Sequence, residues 1–542
     1  MIGKKKHILL TALLVSSLTS TAFAASSLNN NDQRVREQTT QQQQAEVQVP
    51  DAQSGIGNGG VQFKLNTISV KADFKYKQKA VNKITNKYVG KNITLTQLDQ
   101  CAAELTHYFR THGYPAAVCY APQQRATNGN LELAVMTGKL ANVTIDNKSK
   151  LTDEVAQMIA GVLQSGQEIT TDRLETVLYR LNDIGGIRAA GILSAGAQTG
   201  TSDLKIQIDD EKNVRVIGYV DNYGTKAAGR YQYGIVDDIY NVDHHGEHVS
   251  VTGMISNDHQ KNYSASFDLP YGHTGTITGI KVGRNSYELG GKFKNLDANG
   301  IADSINVYAK TPLLRTTYHS QYVNYGYDYR RLKDNIDAYS INSKRRSQDV
   351  YAGWQEDFRG SRSATSYNVT LTQGHLQMVT DDARTFHPGT EGNYTKGIMD
   401  VTNVQGLGKH FDVLFHGQGQ LANKNLDSSE QIYLGGASGV RAYPQGAAAG
   451  DMGWLGTAEL RYHTNLPGLM LSTYYDTGCT RATKDGQNGS MTRHGWGLGL
   501  TYSMPNQYFF RFDYARRIGT PSYAAQDELS KQRMWFMGGY VW

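Results

Sequence analysis

The sequence predicts an α+β pair of small domains followed by an all-β transmembrane barrel of sixteen antiparallel strands. Three observations predict it. A leader marks the chain for export. A helix-bearing unit recurs at a spacing of 76 residues in the first two-fifths. From about residue 211 onward, apolar residues alternate with polar residues or glycine up to the final tryptophan.

The leader has the three parts of a signal peptide: basic Lys4, Lys5 and Lys6, an apolar run from Ile8 to Val15, and the small-x-small site Ala22-Phe23-Ala24. Residues 1–24 are therefore read as removed. A retained anchor is the alternative, but the apolar run is too short to span a bilayer. No later segment has eighteen uncharged apolar residues in a row. Mean hydropathy is negative, which a barrel tolerates because only alternate residues face lipid. The 34 tyrosines suit interfacial girdles, and the 57 glycines suit crowded barrel interiors and turns.

A net charge of +6 on so long a chain makes no case for nucleic acid. There is no GxxxxGK[ST] phosphate loop, so any transport runs without ATP hydrolysis by this chain. No catalytic constellation appears, and no enzyme activity or cofactor is expected. His244-His245 and His248 lack cysteine or carboxylate at ligand spacing, which favours a loop or rim position over a metal site. Of three cysteines, Cys101 and Cys119 lie close together in an oxidising compartment and are expected to be bridged, leaving Cys479 free. Two buried thiols are the alternative.

Residues 25–60 are polar and end in Ser54-Gly-Ile-Gly-Asn-Gly-Gly60. They read as linker, or as a polar helix over Asp32 to Val47, which lacks proline and glycine. Residues 61–138 and 139–210 form the duplicated pair. Ile93, Leu98 and Leu105 recur as Ile169, Leu174 and Leu181. Leu98, Cys101, Leu105 and Tyr108 fall on one helical face, with Thr94 or Thr96 as start signal and Gly113 as stop. Phe63 to Val70, Ala116 to Tyr120 and Leu131 to Val135 read as flanking strands. In the second copy Val143, Ile145 and Leu204 to Ile208 do so, after Gly185-Gly186.

The barrel, residues 211–542, shows its period most clearly near the end. Trp496, Leu498, Leu500 and Tyr502 alternate with Gly495, Gly497 and Gly499. After Pro505-Asn506, Tyr508, Phe510, Phe512 and Tyr514 alternate with Arg511 and Asp513. Proline is excluded from paired strand interiors, so Pro270, Pro312, Pro467 and Pro505 are read as turn markers. Their separations are 42, 155 and 38 residues. At about 40 residues per hairpin they hold one, four and one hairpins; two strands before Pro270 and two after Pro505 complete sixteen.

Leu434-Gly-Gly-Ala-Ser-Gly-Val-Arg-Ala-Tyr443 interrupts the strand pattern. Gly435, Gly436 and Gly439 open backbone shapes closed to other residues. Arg441 is the sole cation between Asn425 and Asp451, and inside a narrow barrel it needs an acceptor. On the strand from Leu469, the residues Leu469, Leu471 and Tyr475 share one face, while Met470, Ser472, Tyr474 and Asp476 share the other. With leucines toward lipid, Asp476 points into the lumen. By the same rule Trp454, Ala458, Leu460 and Tyr462 face outward, and Glu459 and Arg461 inward.

This loop resembles the signature loop of two-partner secretion outer-membrane transporters, the haemolysin and haemagglutinin exporters. The family loop carries Val-Arg-Gly-Tyr/Phe, and its arginine pairs with the aspartate of an Asp-x-Gly element on the inner wall. Val440, Arg441, Tyr443, Asp476 and Gly478 match; Ala442 departs, standing where the family has glycine. The duplicated units resemble POTRA domains, and two copies is the family number. The resemblance covers about residues 30 to 542. It implies an inward-folded loop, a helix plugging the pore at residues 32–47, an outer-membrane location with the N-terminal domains in the periplasm, and export or activation of a large β-rich exoprotein. The client would arrive unfolded and be captured by its N-terminal secretion domain. Phe536, Gly538, Tyr540 and Trp542 alternate to the last residue. Such an aromatic ending resembles the signal by which outer-membrane barrels are recognised for insertion, so the barrel-assembly machinery and outer-membrane lipid are expected partners, with Phe536, Tyr540 and Trp542 as signal residues. Two other readings share features: an outer-membrane insertase relative, with the same loop and repeated domains, and a passive porin, which needs neither.

Overall fold

The computed structural model describes residues 45–542 except 52–53, 55, 57–58, 61, 125–127, 487–488 and 522–525. The leader 1–24 and residues 32–44 of the expected plug helix lie outside the described residues. The end of that segment is described, and it is not helical. Glu46–Gln48 is a strand, running parallel to Ile187–Ala195 with Val47 opposite Gly191. Val47 packs on the neighbouring apolar core, and the strand covers a sheet edge that would otherwise present unpaired backbone groups.

Two compact units make up the chain: Gln43–Glu211 with Leu314–Thr317, and a second containing Lys212–Leu313 and Tyr318–Trp542. The first holds both copies of the repeat. In copy one, Thr67–Ala72 runs parallel to Asn130–Met136, which pairs antiparallel with Val118–Tyr120. The helix Leu95–Thr111 covers this sheet. Thr94 caps it reciprocally: its hydroxyl accepts from the Gln97 amide, and the Gln97 side chain accepts from the Thr94 amide. Leu98, Cys101, Leu105 and Phe109 form the buried face against Leu133 and Val135. Tyr108, expected on that face, is half-buried beside it; Phe109, four residues after Leu105, fills the position.

Copy two repeats the plan. Lys139–Asn147 is parallel to Thr201–Asp210, which pairs antiparallel with Ile187–Ala195. Its helix Thr171–Asn182 is capped by Thr170, which stands 76 residues after Thr94. Sequence reasoning missed the strand Ile187–Ala195. Its Ala189-Ala190-Gly191 centre has poor strand propensity, and pairing on two sides overrides that. The short helices Gln78–Thr85 and Asp153–Ala160 were missed as well.

The expected disulfide is not formed: Cys101 and Cys119 are free thiols, both buried in the apolar core of copy one. Burial pushes each up to about 12. The thiolate that must attack to build a disulfide is thus scarce, and the two behave as small hydrophobes.

The second unit is a closed barrel of sixteen strands, from Val214–Asp221 to Gln532–Val541, each antiparallel to its neighbours wherever the register is defined. The first and last strands close it, Gly218 opposite Tyr540. The total agrees with the proline count, but its distribution does not. Three hairpins, not four, lie between Pro312 and Pro467, because the strands His319–Ile336, Ile341–Arg359 and Ser363–Met378 run to 18, 19 and 16 residues and a long loop follows Ala422. Four strands, not two, precede Pro270, because they are only 8 to 11 residues long. The two errors cancel. Pro270 and Pro312 also sit in the last residues of strands rather than in turns.

The faces are as the alternation requires. Trp454, Leu460, Leu471, Tyr475, Trp496, Leu498 and Phe510 are exposed on the outer wall, while Glu459, Tyr474, Asp476 and Asp513 are buried inside. A continuous apolar outer belt of this kind is stable only against lipid. His248 is structural: its ring lies between Asp238 (3.1 Å) and Asp268 (3.3 Å) on adjacent strands.

At pH 8 the raised cysteines leave about one thiolate in ten thousand. Native protein treated with an alkylating reagent at that pH should therefore keep Cys101 and Cys119 unmodified, and mass spectrometry after non-reducing denaturation should find both alkylatable. Recovery of a Cys101–Cys119 bridged peptide would contradict the free-thiol core.

Candidate functional site

The loop between Phe411–Ala422 and Met452–His463 folds into the lumen as a hairpin. Its limbs are stitched by Ile432 opposite Gly450 and Tyr433 opposite Ala449. Gln420 on the wall donates to the Glu430 carbonyl at 2.8 Å and the Asp451 carbonyl at 3.1 Å, pinning both limbs at their base. At the tip the Val440 amide donates to the Leu434 carbonyl (2.7 Å), drawing the chain into a tight turn. Glycine is obligatory there. A side chain on Gly439 would strike the Leu434 carbonyl at 2.0 Å, and Gly436 has φ +127°.

The turn aims Arg441 at the wall. Its Nε and Nη2 donate to the two oxygens of Asp476 at 2.9 and 2.8 Å, a bidentate pair, and its own amide donates to Asp476 at 3.1 Å. Nη1 reaches Glu459 (3.0 Å) and Asp513 (3.1 Å). The guanidinium lies over the Tyr474 ring, 3.1 Å from its centroid, and the Trp535 indole donates to the Arg441 carbonyl at 2.7 Å. One residue, through its side chain and its backbone carbonyl, therefore gathers the strands bearing Glu459, Asp476, Asp513 and Trp535. Arg511 shares the cluster, 2.7 Å from Asp513. Two guanidiniums thus face three carboxylates, so each buried cation has more than one acceptor and none is left uncompensated.

A lane of glycines on the strand Ser490–Met504 makes room for this. A Cβ on Gly497 would come within 2.4 Å of the Tyr474 ring, and one on Gly495 within 2.6 Å of the Ala442 methyl. The alternation that marked these glycines as inward is the reason the loop can lie flat on the wall. Gly495 also accounts for Ala442. Alanine does not adopt positive φ there, and its methyl rests on bare backbone. Gly478 serves the same purpose beneath Leu434.

Of the residues expected from sequence, Arg441 and Asp476 meet directly. Val440 and Tyr443 are buried in the cluster that packs the loop on Leu455 and Tyr474, Gly435 pairs with Val440 in the turn, and Gly436 and Gly478 supply clearance. Glu459, Asp513, Tyr474 and Trp535 were not assigned a role. Their signal was the inward phase of the alternation, but which inward residues converge depends on strand register. Phe536, Tyr540 and Trp542 lie apart, on the outer face; Tyr540 and Trp542 stack edge to face at 5.1 Å beside the closing seam.

Comparison with known proteins places these features. Residues 200–502 match the family described as haemolysin secretion/activation protein ShlB/FhaC/HecB, and residues 63–138 match the ShlB-type POTRA domain. The heme/hemopexin transporter protein HuxB of Haemophilus influenzae is 27% identical over 452 residues, 80% of either chain. Among solved structures, CdiB from Escherichia coli superposes with a TM-score of 0.69 at 18% identity, covering 97% of this chain and 99% of that one. BamA from Haemophilus ducreyi lacking POTRA domains 1–3 follows at 0.54 and 14%, covering 89% and 100%, a likeness of fold alone.

Replacing Asp476 by alanine leaves Arg441 buried with its bidentate partner gone. A loss of about 3–5 kcal/mol is expected. It should appear as a lower temperature at which the folded, fast-migrating barrel converts to the unfolded form on electrophoresis. An unchanged conversion temperature would show that Glu459 and Asp513 suffice.

Proposed function

Because the chain belongs to the haemolysin secretion/activation protein family and is an outer-membrane two-partner secretion transporter with periplasmic POTRA domains, we propose that the Arg441 cluster is its working lock. The observation that carries this reading is the convergence of three wall carboxylates on one loop cation. A barrel needs no such loop to be stable, and a lumen narrowed by a pinned hairpin suits a pore that must stay closed to solutes yet hold a defined shape for a polypeptide.

In this reading a large β-rich exoprotein arrives unfolded from the periplasm. Residues 61–138 and 139–210 both act as POTRA domains, capturing its N-terminal secretion domain by main-chain pairing at a strand edge. Folding of the client outside drives transport, with no nucleotide consumed by this chain and no enzymatic step. Residues 1–24 direct export of the precursor and are removed. Phe536 and Tyr540, on the outer face of the last strand, and Trp542 just after it are read by the barrel-assembly machinery during insertion. The heme/hemopexin name of HuxB makes a haem-capturing exoprotein the first client to test.

Arg441→Ala should insert normally, judged by heat-modifiable migration of the barrel, while releasing much less client into the medium. Full secretion from a normally inserted Arg441→Ala barrel would rule out the working role and leave a stiffening one. Deletion of residues 61–210 should abolish secretion whatever the state of the lock; secretion surviving that deletion would remove the capture step.

A further inference from the structure

Besides the tip, the loop has a second buried ionic attachment to the wall, at its root. The root limb carries two carboxylates, Asp427 and Glu430, which are 2% and 3% exposed. Asp427 accepts from Arg345 Nη1 at 2.6 Å, and its other oxygen accepts from the Ser429 amide (3.0 Å) and hydroxyl (2.8 Å). Arg345 is itself held by Asp334, which accepts from the Tyr287 hydroxyl at 2.9 Å. Glu430 accepts from Arg330 through one oxygen and from Lys396 Nζ, at 2.5 Å, through the other. Arg330 is steadied by Asp349, which accepts from the Tyr394 hydroxyl at 2.6 Å. The cations come from the strands His319–Ile336, Ile341–Arg359 and Gly392–Gly406, none of which contributes to the Arg441 cluster.

The polarity is reversed between the two attachments. At the root, loop anions meet wall cations; at the tip, a loop cation meets wall anions. The opposed polarity disfavours a reversed placement, since a tip set against Arg330 and Arg345 would put like charges together in a medium of low dielectric. The two attachments also share no residue, so opening one removes no partner from the other.

We propose that Asp427 and Glu430 are positioning residues that anchor the loop root independently of Arg441, so that when the tip lock opens the tip swings about a root that stays inside the barrel. The proposal rests on the loop being a moving part, as the working lock requires.

The test is labelling of intact cells by a membrane-impermeant maleimide, with full-length chain carrying a reporter at the tip (Ala437→Cys) or at the root (Ile432→Cys, 6% exposed in the parent). Arg441→Ala should raise labelling of the tip reporter about tenfold or more while the root reporter stays protected. Adding Asp427→Asn and Glu430→Gln should then expose the root reporter as well, and Asp427→Glu with Glu430→Asp, which keep the charges, should leave it protected. Insertion is checked by heat-modifiable migration; if the double neutralisation does not insert, Glu430→Gln alone replaces it with the same expectation. Exposure of the root reporter by Arg441→Ala alone, or its protection after neutralisation, would overturn the proposal. Secretion is measured in parallel. Normal secretion by Arg441→Ala would sink the working-lock reading while leaving the labelling pattern to decide the anchor.

Discussion

A guanidinium buried in a closed barrel has no water to fall back on, and the arrangement of the last five strands follows from that. Arg441 is satisfied only because inward positions on the strands of Glu459, Asp476 and Asp513 present carboxylates at one level. The Tyr474 ring closes the remaining side, and the Trp535 indole ties the loop backbone to the last strand. Each contact is an ordinary hydrogen bond, charge-assisted at the guanidinium, or a ring contact. Their value lies in converging on one buried charge, which offsets its desolvation penalty and gives the loop a specific address.

Room for that address is made by leaving side chains out. Gly495 and Gly497 on the wall, Gly478 beside Asp476, and Gly439 in the turn each clear a path that a methyl group would block. Glycine in a strand weakens it, so the wall gives up some local stability where the loop docks, and packing of Leu434, Val440 and Tyr443 on Leu455 and Tyr474 offsets it. Ala442 shows how local the requirement is. The departure from glycine is accommodated by the bare backbone of Gly495 across the contact, without any unusual φ.

The opposed polarities of root and tip give the loop a direction. Asp427 and Glu430 on wall cations, and Arg441 on wall anions, make a two-point attachment whose halves lie on different arcs of the barrel. A single attachment would hold the loop; two of opposite sign also decide which way round it lies. This division suits a transporter that must rearrange its lumen without losing the element that fills it.

Much of the fold was legible because its signals are local. Period-two alternation placed Leu498, Trp496 and Phe510 on lipid and Asp476, Glu459 and Gly497 in the lumen, since the phase of a strand is a property of neighbouring residues alone. The helix face of Leu98, Cys101 and Leu105, its start at Thr94 or Thr96, and its echo at Leu174 and Leu181 are equally short-range; the structure selects Thr94, with Thr170 as its counterpart. The tertiary structure alone decided which inward residues meet. Strand lengths vary from 8 to 19 residues, so proline spacing gave the right total from a wrong partition, and register could not be counted along the chain. Asp476 was visible as the partner of Arg441 because the Asp-x-Gly resemblance singled it out among the inward residues, while Glu459, equally inward, Asp513 and the Asp427–Arg345 clamp were not: alternation depends only on the next residue, whereas convergence across strands depends on closure of the whole barrel.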